Sequence, residues 1–107
     1  MRNILIKSGD YSDFAVHGIV NIPDGNETTT EQIEIECKSL QITAGQIQKR
    51  YWVKYRECIT APLQEAVDKE LEAETIEMKD DFCVRMFHNY GVIVDFSFEV
   101  IDIDGYW

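Results

Sequence analysis

The chain has 107 residues, a length at which one hydrophobic core is feasible and two are not, so we expect a single domain spanning residues 1–107. Its 45% hydrophobic and 11% aromatic content excludes a disordered chain. The net charge of −10, from 20 acids against 10 bases, opposes direct binding to nucleic acid or to anionic membranes and favours basic protein surfaces as partners.

Two features of the chain bear on its compartment. No apolar run approaches the roughly 18 residues that a transmembrane helix needs, and Lys7 interrupts the short apolar run at the start of the chain. The three cysteines, Cys37, Cys58 and Cys83, are too few and too widely spaced for a disulfide framework. We therefore expect reduced thiols and a cytoplasmic protein, located in the host cytoplasm if a phage encodes it.

The first third of the chain predicts three strands. The first covers residues 3–8, and residues 9–13 have turn composition. The second covers residues 14–22 and places Val16 on the same face as Phe14, with Gly18 and Val20 as further candidates for that face; the turn signal of residues 23–26 follows it. The third covers residues 31–38, where apolar and charged residues alternate. The apolar positions of this third strand are Ile33, Ile35 and Cys37.

Residues 44–59 fit two structures. A stripe of Ile47, Tyr51, Tyr55 and Ile59 recurs every fourth residue and predicts a helix. The shorter alternation that includes Val53 would also suit a strand. We favour the helix because its stripe continues through more positions.

A second helix is predicted for residues 62–74. Ala61 precedes Pro62, which disfavours helical backbone at Ala61 and marks a break between the two helices. An apolar stripe then follows at helical spacing. It consists of Leu63, Ala66, Val67 and Leu71.

The C-terminal third predicts a β-hairpin. Residues 82–87 and 92–100 alternate between apolar and polar positions, and residues 89–91 suit a three-residue loop with Gly91 in the left-handed conformation. The predicted order is therefore β-β-β-α-α-β-β. This is an α+β domain with an antiparallel sheet of about five strands and two helices on one side.

No motif predicts catalysis or a cofactor. His17 and His88 stand in no nucleophile or metal-ligand motif, and no glycine-rich phosphate loop is present. The segment 102–105 begins like a calcium-binding loop but lacks its third aspartate and its closing glutamate. We predict a protein that is not an enzyme and that has no catalytic residues, no cofactor and no metal site.

The charge concentrates in residues 65–81. Eight acids and two bases give this segment a net charge of −6. Glu65, Asp68 and Glu72 have the spacing of one helix face, where like charges destabilise a helix by a few tenths of a kcal/mol per pair. The eight acids are Glu65, Asp68, Glu70, Glu72, Glu74, Glu77, Asp80 and Asp81.

Two further acidic groups and one basic group accompany this segment. Four bases lie within residues 49–56, interleaved with aromatic residues, and we expect them to pair with the protein's own acids or across a homodimer interface. Trp52 is a candidate interface anchor. The second acidic group is Asp24, Glu27, Glu31, Glu34 and Glu36, the third is Asp95, Glu99, Asp102 and Asp104, and the bases are Lys49, Arg50, Lys54 and Arg56.

These features favour an acidic, non-catalytic protein that inhibits a nucleic-acid-processing enzyme. Carboxylates would imitate phosphates and block a basic channel, as in an anti-CRISPR or anti-restriction protein. The alternatives are a small homo-oligomeric structural or accessory protein of a phage or mobile element, and a toxin-neutralising immunity protein. The expected partner-binding residues are Glu65, Asp68, Glu72, Glu74, Glu77, Asp80, Asp81 and Trp52.

Overall fold

A computed structural model of the chain describes residues 2–9, 14–25 and 30–104. These ranges contain strands β1 (Arg2–Gly9) and β2 (Phe14–Ile22), helices α1 (Thr30–Glu57) and α2 (Ala61–Tyr90), and strand β3 (Ile93–Phe96). The described sheet is antiparallel, with the order β1-β2-β3. The predicted α+β class with an antiparallel sheet is confirmed, but with three strands in place of about five. Of the turn predicted at residues 9–13, Gly9 ends β1 and residues 10–13 lie outside the described residues, as do Asn26 and Glu27.

A β-bulge shapes the pairing of the first two strands. Ile6 pairs with Gly18 whereas Lys7 pairs with Val16, so His17 is an extra residue in β2. Both His17 and Gly18 are buried, and Val16 is exposed. The prediction that Val16 lies on the same face as Gly18 is wrong, because the bulge shifts the alternation by one residue.

The predicted strand at residues 31–38 is part of helix α1. Ile33 and Cys37 are buried, but Ile35, the middle position of the supposed alternation, is 64% exposed. The buried positions instead follow one another at spacings of three or four along the whole helix, which is helical periodicity. They are Ile33, Cys37, Leu40, Ala44, Ile47 and Tyr51. The favoured helix at residues 44–59 is confirmed through Glu57, as the second half of α1.

The predicted strand at residues 82–87 is also helical. The helix predicted for residues 62–74 begins at Ala61 and continues to Tyr90. Phe82 and Met86 are buried, and Val84 and Phe87 are exposed, so apolar residues occupy two sides of the helix and imitate a β alternation.

The predicted hairpin loop at residues 89–91 is the end of α2. Gly91 has φ 66° and ψ 25°, the left-handed conformation expected for it, but there it caps the helix and its N–H donates to the Phe87 carbonyl. The predicted strand at residues 92–100 is shortened to Ile93–Phe96. Residues 97–104 form an irregular segment, which we call the C-terminal strap.

One face of the sheet packs on both helices. Ile6, Val20 and Ile22 form a core cluster with residues of α1 and α2, among them Leu40 and Phe82. The helices are about 42–45 Å long and the longer strands about 26–30 Å, so the helical hairpin extends beyond the sheet. At that end a second cluster forms around Ile101 of the C-terminal strap. Its buried members are Ala44, Ile47, Tyr51, Leu71 and Ile101.

Candidate functional site

The acids of residues 65–81 lie on two sides of α2. The helical repeat places Glu65, Asp68 and Glu72 on one side, which we call the strap-side acids. The same repeat places a second set of acids on the side of α2 that meets α1. Asp80 lies between the two sets, on the side of the helix away from the core. The second set, the α1-side acids, is Glu70, Glu74, Glu77 and Asp81.

Three of the α1-side acids are paired within the protein. Arg50 and Tyr51 of α1 both donate to the Glu74 carboxylate, the tyrosine hydroxyl over 2.5 Å. Lys54 lies 3.4 Å from Glu70. The expectation that bases of residues 49–56 pair with the protein's own acids is confirmed for Arg50 and Lys54. Such exposed pairs contribute about 0–1 kcal/mol each, so they orient the helices more than they stabilise them.

Arg85 links Asp81 to the other helix. Its guanidinium lies 2.8 Å from the Glu36 carboxylate of α1 and 3.5 Å from Asp81, one turn earlier in α2. Glu36, from the second acidic group, therefore serves as a helix–helix contact. Together with Arg50–Glu74 and Lys54–Glu70, this contact fixes the antiparallel alignment of the two helices.

Tyr51 shows how closely the helices approach at this point. Its side chain is buried, and burial raises the pKa of the hydroxyl to about 12, with the hydrogen bond to Glu74 adding to the effect. The hydroxyl therefore remains a hydrogen-bond donor at neutral pH. Glu74, predicted as a partner-binding residue, is occupied by this internal contact.

The strap-side acids have a different environment. Across the described residues, Glu65, Asp68 and Glu72 are exposed and form no ion pair. A groove of about 450 Å³ lies between this side of α2, the end of α1 and the C-terminal strap. We call it the acidic groove. Its lining residues are Trp52, Tyr55, Arg56, Asp68, Leu71, Val100, Ile101, Asp102, Ile103 and Asp104.

Polar contacts hold the strap beside α2. The Thr75 hydroxyl, fully buried, accepts from the Ile101 N–H over 3.4 Å. Lys79 donates to the carbonyls of Phe98 and Glu99 over 3.1 and 3.0 Å. Gln48 of α1 donates to the Asp102 carbonyl over 2.8 Å. With its backbone held on both helices, the strap presents its acidic side chains at the groove.

The aromatic anchor lies in the same groove. Trp52 is 42% exposed, and the Arg56 guanidinium lies 4.6 Å from the centroid of its ring. The groove therefore combines an accessible indole ring with three carboxylates, those of Asp68, Asp102 and Asp104, and one base.

The structure brings together part of the predicted binding set. Trp52 and Asp68 line one groove, and Glu65 and Glu72 extend the same side of α2. The other predicted residues, Glu74, Glu77, Asp80 and Asp81, lie on different sides of the helix. The site also includes Asp102 and Asp104 of the third acidic group. Ile101, which precedes them in the chain, is buried in the second core cluster and so holds this part of the strap beside α2.

A larger cavity of about 800 Å³ lies elsewhere, between β1 and the first half of α1. Its lining is mixed, with the bases Arg2, Lys7 and Lys38 and the acid Glu34. None of the predicted binding residues lines it. No other described strand pairs with this edge of β1, and the bulge and the exposed Lys7 are features that protect an edge strand from further pairing.

One polar pair was not foreseen from the sequence. Ser8 Oγ and His17 Nε2 lie 2.6 Å apart, because the antiparallel pairing of β1 and β2 brings distant positions together. Such a pair is one component of a serine nucleophile. Here the His17 ring is buried and packs edge-on against Phe98, with centroids 6.1 Å apart, and neither Ser8 nor His17 lines the acidic groove. The contact has the character of a satisfied polar pair within the sheet.

The thiols of Cys37 and Cys83 are not activated. Burial raises the pKa of Cys37 to about 11, and burial also raises the pKa of Cys83. A nucleophilic or metal-binding cysteine requires the opposite shift. Within the described ranges, no three His, Cys, Asp or Glu side chains are grouped as metal ligands, and neither helix carries an apolar stretch that could cross a membrane.

Comparison of the chain with protein-family models gave no match, and comparisons with curated proteins and with solved structures gave none.

Proposed function

We propose that this protein is an acidic, non-catalytic inhibitor that binds a nucleic-acid-processing enzyme at the basic channel for its substrate, in the manner of an anti-CRISPR or anti-restriction protein. The observation that supports this most directly is the acidic groove. There Asp68 of α2 lies with Asp102 and Asp104 of the strap beside the exposed ring of Trp52.

The acidic groove and the strap-side acids beside it present the carboxylates that a phosphate-binding channel would recognise. Glu65, Asp68 and Glu72 follow one another along one side of a rigid helix, with roughly 5–6 Å between neighbouring Cβ atoms at this spacing. Since they have no ion pair among the described residues, they enter an interface without breaking internal contacts. Arginine and lysine side chains that normally hold phosphates would pair with these carboxylates.

Trp52 would supply the apolar part of the contact. Tryptophan is enriched among the residues that dominate binding energy at interfaces, and in a nucleic-acid channel an indole ring can replace a stacked base. The partner is therefore a basic protein surface, most simply a nuclease, and the protein itself binds neither nucleic acid nor membrane.

Charge reversal at the groove tests the site. The double variant Asp68→Lys/Glu72→Lys changes the net charge from −10 to −6. A matched control, Glu31→Lys/Glu34→Lys, makes the same change on exposed positions at the start of α1. Each protein is expressed in bacteria that carry an RNA-guided or a restriction nuclease and in bacteria without one, and phage plaques are counted on both.

We expect the parent and the control to restore plaques on the protected strain and the groove variant to lose this effect. The purified proteins are then added to the nuclease in a DNA cleavage assay. Because steering by charge acts on association, the groove variant should bind at least about tenfold more slowly at low salt. Equal inhibition by the parent and the groove variant would refute the proposed site, and no inhibition of any nuclease by the parent would refute the proposed function.

A further inference from the structure

The two helices expose apolar side chains opposite their buried stripes. On α1, Ile35 and Ile42 are 64% and 65% exposed and lie two turns apart on one line. On α2, Val84 and Phe87 are 68% and 64% exposed and lie on adjacent turns. A helix that is apolar on opposite sides is normally covered on both. We call these two lines the outer stripes.

The net charge beside the outer stripes differs in sign: on α1 the bases Lys38 and Lys49 outnumber the acid Glu31, whereas α2 carries acids there. Lys49 lies on the exposed side of α1, opposite that helix's buried stripe. Glu77 and Asp80 are exposed beside the outer stripe of α2. Among the described residues, Lys49, Glu77 and Asp80 form no ion pair. The outer surface of α1 therefore complements that of α2 and not itself.

We propose that two copies of this chain associate through their outer stripes, with α1 of each copy packed antiparallel on α2 of the other. A two-fold axis parallel to the helices generates this arrangement and keeps equivalent residues at the same height. The resulting four-helix interface carries one sheet on each outer side. Pairing α2 with its own copy would instead place Glu77 and Asp80 against like charges.

The internal ion pairs define the heights of the contacts. Because Arg85 pairs with Glu36, the Ile35 region of one copy would meet the Val84 region of the other. Because Arg50 pairs with Glu74, Lys49 would lie within one helical turn of Glu77 of the partner subunit. In this register Ile35 is level with Val84, an apolar pair, and Lys49 with Glu77, a base and an acid.

The available surface suits a stable dimer. Two helices about 45 Å long and about 10 Å wide present roughly 900 Å² per copy, or about 1,800 Å² for both, which is the size of a standard specific interface. The acids of the acidic groove, Asp68 on the strap side of α2 and Asp102 and Asp104 on the strap, lie away from the outer stripes. The dimer therefore does not depend on the proposed inhibitor function and would display both sets of acids.

The test is sedimentation equilibrium of the parent and of neutral stripe variants. The parent should reach twice the 12.4 kDa monomer mass at micromolar concentrations. Ile35→Gln and Val84→Gln, which alter exposed residues, should raise the dissociation constant about tenfold or more. The matched control Ile59→Gln, at a position 89% exposed between the helices, should leave it unchanged. Circular dichroism establishes that each variant is folded.

A charge swap tests the arrangement itself. Lys49→Glu and Glu77→Lys should each weaken the dimer, and the double variant, with the parent's net charge, should restore it. A parent that remains monomeric up to about 1 mM would overturn the proposal. So would a dimer that is insensitive to both stripe variants, or a charge swap that fails to restore association.

Discussion

Cys37 illustrates how a single side chain reports on the core. Its thiol lies against the sheet in the first core cluster, where burial, with Glu34 and Glu36 adding, raises its pKa to about 11. At pH 8 the thiolate fraction is therefore on the order of one in a thousand. We predict that Cys37 reacts with N-ethylmaleimide at least about a hundredfold more slowly than Cys58, whose residue is only partly buried after α1.

Peptide mapping by mass spectrometry after timed labelling measures both rates in one sample. Because the raised pKa favours the neutral thiol in the folded state, labelling of Cys37 should accelerate as the pH rises from 9 toward 11. If Cys37 were labelled as fast as Cys58 at pH 8, the packing of α1 on the sheet would have to open far more often than a stable core allows.

Gly18 of β2 lies where β3 leaves no room for a side chain. A Cβ atom at this position would lie 2.9 Å from the Asp95 carbonyl oxygen and 3.3 Å from the Phe96 side chain. Since the nearer atom belongs to the backbone of β3, it cannot move aside without distorting the sheet. We predict that Gly18→Ala lowers the free energy of unfolding by about 1–3 kcal/mol, measured by urea denaturation. A variant as stable as the parent would show that β2 and β3 are spaced more widely.

At the level of elements, the sequence predicts β1, β2 and a break between the helices, because turn residues and Pro62 act locally. The sequence places the break at Ala61, but it lies one residue earlier, at Thr60, which is extended while Ala61 begins α2. The two wrongly predicted strands, at residues 31–38 and 82–87, have a common cause. In both, exposed apolar residues such as Ile35 and Val84 lie between buried ones, so a helix with apolar residues on two sides reads as an alternation. In the proposed dimer these exposed apolar residues contact the second copy, so they are not explained by the fold of one chain.

Thr75 connects α2 to the C-terminal strap. Its hydroxyl donates to the Leu71 carbonyl over 2.7 Å and accepts from the Ile101 N–H. Thr75→Val keeps the shape of the side chain but leaves the Ile101 N–H without its acceptor. We predict a loss of about 1 kcal/mol in unfolding free energy and faster hydrogen exchange at Ile101.

The control is Thr43→Val. The Thr43 hydroxyl is exposed and makes the same type of local bond, to the Ser39 carbonyl over 3.1 Å, but it holds no second element. Hydrogen exchange followed by mass spectrometry should show protection of the strap lost in the Thr75 variant alone. Equal exchange in both variants would mean that Ile101 is held by apolar packing without this hydrogen bond.

The candidate site is only partly predictable from the sequence, because part of it depends on tertiary contacts. The strap-side acids follow from helical spacing, and Trp52 follows from its residue type. The meeting of Asp68 with Asp102 and Asp104 depends on the buried Ile101 and on the contacts of Thr75 and Gln48, which are tertiary and leave no periodic signal. Internal pairing of Glu74 with Arg50 likewise depends on how the two helices align.

For the whole molecule, shape and charge act together. The protein measures 53 × 31 × 17 Å, so it is thin enough that most charges lie at the surface and within about one or two Debye lengths of others. The excess of ten acids over bases has no compensation in the chain, and the described ion pairs are largely solvent-exposed. Repulsion among the charges of such a surface lowers the stability of the folded protein.

Salt should therefore stabilise this protein. Screening weakens both the general repulsion and the exposed ion pairs, but pairs such as Lys54–Glu70 contribute at most about 1 kcal/mol each, so the reduced repulsion prevails. We predict that raising NaCl from about 10 mM to about 0.5 M increases the melting temperature by several degrees, since 1 kcal/mol corresponds to roughly 4–8 °C at this size. Thermal melts followed by circular dichroism at a fixed protein concentration measure the shift.

The variant Asp102→Asn/Asp104→Asn, with two fewer charges in the acidic groove, should melt higher at low salt and respond less to added salt. A melting temperature that falls with salt would instead mean that the internal ion pairs outweigh the repulsion and that the acids are more fully compensated than their exposure indicates.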